Sequence, residues 1–206
     1  MINSERVKLG RQAADNSFIR FDYEPEVSSF RKCTGYWFDK INNILTGEIT
    51  EIGHDFNIIV DSIGKLAAAK FRDDPAFKGI QMWAIGTGAN TWDTQWNSDN
   101  SPASISTATQ LVNEIGRLPI NMSYQDTSIV YVDQEGNPTT TLTNRILVRR
   151  QFGRHDVNGE WREFAIFGGN ATEVRNSGIM INHKIHRVIN KTADMTVERN
   201  IIFTFN

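Results

Sequence analysis

The sequence predicts a mainly β protein of the α+β class, built as an antiparallel β-sandwich or partly open barrel with two packed helices and an extended N-terminal arm. After Pro119, apolar and polar residues alternate as they do in half-buried strands. Two earlier stretches, 55–71 and 104–116, place apolar residues at the spacing of a one-faced helix. With 206 residues, of which 39% are hydrophobic, the chain is long enough for a domain with a substantial core.

The composition limits which binding partners and which cellular compartment we expect for this protein. The formal net charge is -2, so no overall basic field attracts nucleic acid or anionic lipid, and we expect neither as a partner. Cys33 is the one cysteine, which excludes an intrachain disulfide framework and suits a reducing cytoplasm. The N-terminus lacks the apolar run of a Sec signal, and no later stretch approaches the roughly 20 apolar residues of a membrane span. We therefore expect synthesis in the cytoplasm without membrane insertion.

The pattern divides the chain into an arm and one domain. The first thirty or so residues are polar and aperiodic, so residues 1–40 are predicted to form an extended N-terminal arm or a peripheral strand. Residues 41–206 are predicted to form a single β-rich domain. The arm is the segment we expect to become ordered on a partner.

The two predicted helices carry start and stop signals. In 55–71, Asp55 is placed to cap the first turn. In 104–116, Ser104 or Ser106 is placed to cap the start, and Gly116 stands where a left-handed residue ends a helix. Between the helices we expect a short buried strand and then a loop, at 77–88 and 90–104.

The second half of the chain is predicted to be an antiparallel sheet system. Stretches with the two-residue period of strands are separated by turn-forming sequences such as "QEGNP" and "RHDVNGE". The predicted strands are 120–126, 128–134, 141–152, 160–168, 178–189 and 195–205. We expect the two helices to pack on one face or one end of this sheet.

Two motifs suggest chemistry but are better explained as structure. Gly86 and Gly88 resemble the start of a dinucleotide-binding loop, but no helix follows directly, so we interpret them as turn residues. His183 and His186 are three residues apart on a predicted strand, which directs the two rings to opposite faces and away from a shared metal ion. We expect His183 to lie at the core edge with one hydrogen bond.

Among the carboxylates, Glu163 has the position that most strongly predicts burial, because it shares a strand face with Trp161 and Phe167. A buried carboxylate needs a charged partner. We expect that partner to be one of three arginines: Arg199, Arg149 or Arg145. The sequence contains no nucleophile motif around a serine and no cysteine–histidine frame. We therefore predict no catalytic residues, cofactor or metal site.

Trp92 and Trp96 lie four residues apart in a polar loop, "NTWDTQWNSD". An exposed aromatic pair of this kind suits a sugar-binding or protein-binding loop. The alternative is that both rings fold back as lids over the sheet. The sequence leaves both interpretations open.

An ordered set of segments resembles a known group of proteins. The segments are "FKGIQMWAIGTGANTWD", "ATQLVNEIGRLPI", "WREFAIFGG", "NSGIMINHKIHRVINKT" and "MTVERNIIFTF", which together span about Phe77 to Phe205. In this order they resemble structural proteins of phage tails and related contractile injection particles, especially tail-fibre or baseplate-attachment proteins. The chain departs from that pattern at Ala165, where glycine is common, and at Val197, where leucine is common.

The resemblance implies a structural subunit of a phage tail or phage-like particle, as a baseplate, neck or fibre-attachment component, and not an enzyme. It implies location in the virion or particle, other particle subunits as partners, and a homo-oligomer, either a trimer or a ring. Long sheet edges would serve augmentation by a neighbour. The matched polar positions are interpreted as fold or assembly contacts: Glu114, Arg117, Arg162, Glu163, Lys191 and Arg199.

Two alternatives remain from the sequence. One is a receptor- or carbohydrate-binding module of a tail fibre, in which Trp92 and Trp96 stack on sugar rings. The other is a metal-dependent enzyme on a small barrel that uses His183.

Overall fold

A computed structural model describes residues 33–96, 101–120 and 128–206 of the chain. Within these ranges lie eleven strands, one short α-helix and one 3₁₀ helix. The elements are β1 (Cys33–Asn43), β2 (Ile49–Ile59), α1 (Ile63–Phe71), β3 (Lys78–Gly86), the 3₁₀ helix (Asn90–Thr94), β4 (Glu114–Pro119), β5 (Ile129–Val132), β6 (Pro138–Thr139), β7 (Arg145–Phe152), β8 (Gly159–Gly169), β9 (Ile179–Met180), β10 (Asn182–Lys191) and β11 (Met195–Phe205).

All described strands belong to one antiparallel sheet. The strand order is β4-β3-β8-β10-β2-β1-β11-β7-β5-β6, and β9 pairs with β8 beside this path. The two end strands, β4 and β6, do not pair with each other, so the sheet is not closed. The fold is therefore mainly β, as predicted, but the described ranges contain one short α-helix where two packed helices were predicted.

The sheet folds back on itself. Five steps in the strand order separate β8 from β7, which is about 24 Å in a flat sheet at about 4.8 Å per step. The rings of Phe152 on β7 and Trp161 on β8 are nevertheless only 5.0 Å apart between centroids. The two halves of the sheet thus face each other across a shared interior.

The main core fills that interior. It joins buried side chains from β1, β3, β7, β8, β10 and β11, among them Trp37, Trp83, Phe152, Trp161, Phe164 and Val197. A smaller cluster lies on the other face of β3 and β8, around Met82, Ala84, Ala165 and Phe167. Strand β8 is therefore buried on both faces, which explains the uncharged run from Phe164 to Gly169 in its second half.

The first predicted helix is wrong over its first half. Residues 55–59 belong to β2, so Asp55 caps nothing, and α1 begins only at Ile63. The β-branched run Ile58-Ile59-Val60 favours an extended backbone, and Ile58 and Ile59 pair with β10. The apolar spacing suggested a helix because it runs through a strand, a turn and a short helix.

The second predicted helix, 104–116, is wrong. Residues 104–113 are irregular and β4 follows from Glu114. The backbone N–H groups of Val112 and Asn113 donate to the Glu163 carboxylate and not to a carbonyl one helical turn earlier. Gly116 does not end a helix, because it pairs with Ile85 in the sheet.

Most predicted strands are confirmed. The predictions at 77–88, 128–134, 141–152, 160–168 and 195–205 correspond to β3, β5, β7, β8 and β11. The prediction at 178–189 is divided into β9 and β10 at Ile181, whose N–H donates to the Ile166 carbonyl. Of the prediction at 120–126, Ile120 is not in a strand and 121–126 lies outside the described residues. The loop at 90–104 contains the 3₁₀ helix, and its residues 97–100 also lie outside the description.

The predicted arm extends too far along the chain. Residues 1–32 lie outside the described residues, but 33–40 belong to β1, which pairs with β2 on one side and β11 on the other. This part is therefore a central strand and not a peripheral one. The end strands of the sheet are also short, with six residues in β4 and two in β6, so the expected long edges are not at its ends. No helix in the described ranges is long and apolar enough to cross a membrane.

The core contacts predict a large loss of stability when Phe164 is truncated. Phe164 is fully buried and its ring packs against Trp37 and Trp83. We expect Phe164→Ala to lower the free energy of unfolding by about 3–5 kcal/mol, because it removes apolar contacts and leaves a cavity. Denaturant titration measures this change. The matched control is Phe71→Ala on α1, where the ring is 92% exposed and we expect a change within about 0.5 kcal/mol. Similar losses in both variants would contradict the core assignment.

Candidate functional site

A buried ion pair joins β1 and β11, two neighbouring strands near the middle of the sheet. Asp39 on β1 stands opposite Arg199 on β11 in the strand register, and both side chains are inaccessible to solvent. The Arg199 Nε lies 2.9 Å from Asp39 Oδ1, and Nη2 donates to Oδ2. The guanidinium therefore meets the carboxylate in a two-point contact, which fixes the orientation of both groups.

Aromatic rings from other strands enclose the same guanidinium. Its central carbon lies 4.3 Å from the Phe164 ring centroid, 5.1 Å from Trp161 and 5.5 Å from Trp37. Arginine is suited to this position because its planar, weakly hydrated cation stacks on ring faces while it pairs with a carboxylate. Since Phe164 and Trp161 belong to β8, the pair links the two facing halves of the sheet.

His186 completes this cluster in its neutral form. Its Nδ1–H donates to the Arg187 carbonyl oxygen at 2.7 Å, which leaves the Nε2 lone pair facing Arg199 Nη2 at 3.4 Å. Burial, and then the adjacent positive charge of Arg199, hold the pKa of His186 well below 6.5. Burial also raises the pKa of the Asp39 carboxyl, and Arg199 opposes that rise. The cluster thus combines one anion, one cation and one neutral ring.

Glu163 holds the irregular segment before β4. Its Oε1 accepts the N–H of Asn113 at 2.9 Å, and its Oε2 accepts the N–H of Val112 at 3.1 Å. His183 Nε2 lies 3.1 Å from the same Oε2. The carboxylate is fully buried, and Gly86 makes room for it, because a Cβ there would lie 2.5 Å from Oε1.

The expected arginine partner of Glu163 is wrong. Arg199 pairs with Asp39, and Arg145 donates to the backbone carbonyls of Asp133 and Gln134. Glu163 lies in the core, as predicted. Backbone N–H groups and a histidine, and not an arginine, bind its carboxylate oxygens. These donors come from distant segments, so spacing along the chain does not indicate them.

Glu114 and Arg117 form a second buried pair. Arg117 Nε and Nη2 donate to the two Glu114 carboxylate oxygens at 2.6 and 2.7 Å. Residues three apart in a regular strand face opposite ways, but a register shift between Ile85 and Gly86 of β3 shows a bulge beside Ile115 that restores a common face. Arg117 also donates to the carbonyls of Thr172 and Ser177, so the pair ties the 172–177 loop to β4.

Arg162 holds the tryptophan loop against β8. Its Nε and Nη2 donate to Asp93 at 2.9 and 2.6 Å, and Nη1 pairs with Glu160. These hydrogen bonds raise the pKa of Arg162 and lower that of Asp93. Trp92 and Trp96 are both half-buried. The Trp92 ring occupies the space beside Gly88, and the Arg187 guanidinium lies 5.4 Å from the Trp96 ring centroid.

Lys191 is buried, and none of the described carboxylates lies within bonding distance of its ammonium group. Its ammonium group donates to Asn158 Oδ1 at 2.7 Å and to the carbonyls of Gly153, Arg154 and Thr192 at 2.8–3.3 Å. Burial lowers the pKa of Lys191. The contacts tie the loop between β7 and β8 to the turn between β10 and β11. The matched polar positions are thus all buried and engaged: Glu114, Arg117, Arg162, Glu163, Lys191 and Arg199.

The remaining candidate motifs do not assemble a reactive centre in the described ranges. Gly86 faces the Glu163 carboxylate, which disfavours a phosphate there, and Gly88 turns the chain with φ 55°. His183 contacts Glu163 whereas His186 contacts Phe164, the next residue on β8, so the predicted opposite directions of the rings are confirmed. No group of three or more potential ligands is close enough to hold a metal ion among the residues described. Burial raises the pKa of Cys33 to about 11, which keeps its thiol protonated.

The functional residue that sequence reasoning missed is Asp39. A usable signal was present, because Asp39 falls in phase with Trp37 and Ile41 in "YWFDKI". A carboxylate on the apolar side of an alternating stretch predicts burial, and therefore a cationic partner. The prediction of an arm over residues 1–40 takes no account of this alternation.

Comparisons with protein-family models, curated proteins and solved structures find no match to this chain.

The buried pair predicts that removing its cation is costly. Arg199→Met leaves Asp39 in the core without a counter-charge, and we expect a loss of about 3–5 kcal/mol in the free energy of unfolding. Denaturant titration measures it. The matched control is Lys40→Met, which breaks the half-exposed Lys40–Glu51 pair and should change stability by less than about 1 kcal/mol. Equal effects of the two variants would argue against a central role for Arg199.

The neutral state of His186 predicts a specific pH dependence. The unfolded chain binds a proton at His186 near pH 6.5, whereas the folded chain does not, because its pKa is lowered. The stabilisation is therefore fully present above pH 6.5 and is lost progressively as the pH falls below it. Denaturant midpoints at several pH values between neutrality and pH 5 measure this slope. His186→Gln should flatten it, and an unchanged slope in that variant would assign the effect to other groups.

Proposed function

We propose that this chain is a structural subunit of a phage tail or phage-like particle, acting through protein–protein assembly as a baseplate, neck or fibre-attachment component. The proposal starts from the ordered set of segments between Phe77 and Phe205 that resembles such proteins. We also propose that the fold is a partly open barrel or sandwich that serves as a rigid scaffold. The chain would then be located in the assembled particle.

One observation carries the proposal. Every polar position matched by the resemblance is buried and binds backbone or an oppositely charged side chain, with exposures of 0–7%. Glu163, Arg117, Arg162 and Lys191 each tie an irregular segment to the sheet. Charged side chains placed in this way fix loop positions, which is what a subunit needs if its neighbours dock on loops and faces. A binding or catalytic site would instead leave some of these groups facing an open cavity.

A shallow depression of about 370 Å³ does not offer a competing site. It lies between the β5–β6 turn and the start of β7, lined by residues from Val132 to Glu135 and from Thr143 to Arg145. Its cationic group, Arg145, is bound to the carbonyls of the turn. The half-buried positions of Trp92 and Trp96 likewise give no specific support to a sugar-binding loop.

The proposal predicts that the chain is a stoichiometric component of particles. We expect density-purified particles from cells that encode the chain to contain it at a fixed copy number, measured by quantitative mass spectrometry of particle proteins. Deleting the coding sequence should yield particles that lack a defined part, and supplying the protein in trans should restore it. Absence of the chain from purified particles, together with normal particles after deletion, would overturn the proposal.

A further inference from the structure

Strand β2 is exposed along most of its length, although other strands stand on both sides of it in the sheet order. It pairs with β1 over Ile49–Asn57, but its pairing with β10 is confined to Ile58 and Ile59. Between Ile49 and Phe56 every residue except Ile52 is exposed. Within the described ranges, this stretch has no strand on the side away from β1. It forms an accessible rim inside the sheet.

The outer face of the β1–β2 hairpin carries a cluster of rings. Trp37 and Asp39 point into the core, so the alternating residues Tyr36 and Phe38 point outward. Tyr36 meets Phe56 edge to face at 5.5 Å between centroids, and His54 stacks on Phe38 at 5.7 Å with 9° between planes. We name these four residues, Tyr36, Phe38, His54 and Phe56, the outer aromatic face. Phe56 is 62% exposed, and Ile49 and Ile58 extend the apolar surface along β2.

A strained bulge builds this face. The register between β1 and β2 shifts at Trp37 and Phe38, and His54 adopts φ 60°, a left-handed conformation uncommon for residues other than glycine. The bulge directs the His54 ring onto Phe38 and brings its Nδ1 within 3.3 Å of the Tyr36 hydroxyl. Backbone strain clusters at functional sites, and here it organises rings on the outer face, where Phe56 and His54 are exposed and Tyr36 and Phe38 are half-buried.

Two side chains of opposite charge, Lys40 and Glu51, lie next to each other beside the outer aromatic face. Lys40 Nζ lies 3.4 Å from Glu51 Oε1 across the two strands, and both side chains are about half exposed. Glu51 Oε2 also lies 3.7 Å from His54 Nε2. The face has no excess of either sign, so it does not favour a strongly charged partner. A two-fold axis would place Lys40 of one copy against Glu51 of another, and apolar rings against apolar rings.

We propose that the outer aromatic face is the docking site for a second copy of this chain, through a two-fold contact between β1–β2 hairpins. The face is complementary to itself in both hydrophobicity and charge, which is the requirement of a contact of this symmetry. The inference rests on the proposed function, since it adds a second self-contact to the expected homo-oligomer. Contacts within a trimer or ring are head-to-tail, so a two-fold contact would join two trimers or two rings face to face. It predicts even copy numbers, because a two-fold contact joins subunits in pairs.

Charge exchange gives the sharpest test. Lys40→Glu places two acidic residues on the hairpin and Glu51→Lys places two basic ones, so each variant repels its own copy. We expect each alone to weaken self-association about tenfold or more. An equimolar mixture should restore it, because the acidic and basic hairpins attract each other. Sedimentation velocity at low salt measures all three samples, and high salt should reduce the differences.

Phe56→Asp supplies a second test with a matched control. It places a charge in the outer aromatic face and should yield a monomer. Phe71→Asp, at a more exposed ring on α1, should leave self-association unchanged. Denaturant titration checks that both variants remain folded. A parent chain that stays monomeric at its highest soluble concentration, or a mixture that fails to associate, would overturn the inference.

The particle experiment separates this inference from the proposed function. If the chain is found in particles and all variants enter them normally while the parent is monomeric, the two-fold contact is wrong and the structural role stands. If the chain is absent from particles but the charge-exchanged mixture associates, the contact stands and the structural role is wrong.

Discussion

The buried pair of Asp39 and Arg199 is the interaction on which the rest of the structure depends. It sits where β1 and β11 meet in the middle of the sheet, with both charges removed from water. Taking two charges out of water is unfavourable unless they meet with good geometry and are well enclosed. The chain meets that requirement by surrounding the guanidinium with Phe164, Trp161 and Trp37. The same rings form the main core, so the ion pair and the hydrophobic packing require each other.

This arrangement explains how one long sheet becomes a compact interior. The aromatic residues around Arg199 come from β1 and from β8, which belong to different halves of the folded-back sheet. The two-point ion pair fixes how β1 and β11 face each other, and the Trp161 and Phe164 rings of β8 close over it with His186 beside them. The other buried charges act farther out. They fix the loops before β4, between β7 and β8, and around Trp92, and so complete a rigid scaffold.

A sheet whose loops are held by buried charges, with one strained and partly exposed aromatic face, suits the proposed role in assembly. The buried charges are held by ion pairs or backbone contacts, although Nη1 of Arg199 has no hydrogen-bond partner among the described residues, and the strained bulge at His54 lies on the outer surface. The ends of the sheet are short and contain Pro119 and Pro138, which discourage addition of a further strand there. In the proposed assembly, docking would therefore use a face of the sheet or the rim of β2. That constraint connects the proposed particle role to the proposed two-fold contact.

The sequence by itself determined that the fold is mainly β, because two-residue alternation after Pro119 marks half-buried strands such as β11. It also determined which polar residues are unusual, since Glu163 and Arg199 stand in phase with apolar neighbours. The helix predictions are wrong at 55–59 and 104–116, where apolar residues have the spacing of a helix but the chain is not helical. The backbone there is instead fixed by β1 and β10, or by the Glu163 carboxylate.

Only the tertiary structure decided the partner of each buried charge. Asp39 and Arg199 are 160 residues apart, and no local pattern encodes a contact across that distance. The bulges beside Ile115 and at His54 were likewise decided by strand pairing, because a register shift is a property of two strands and not of one.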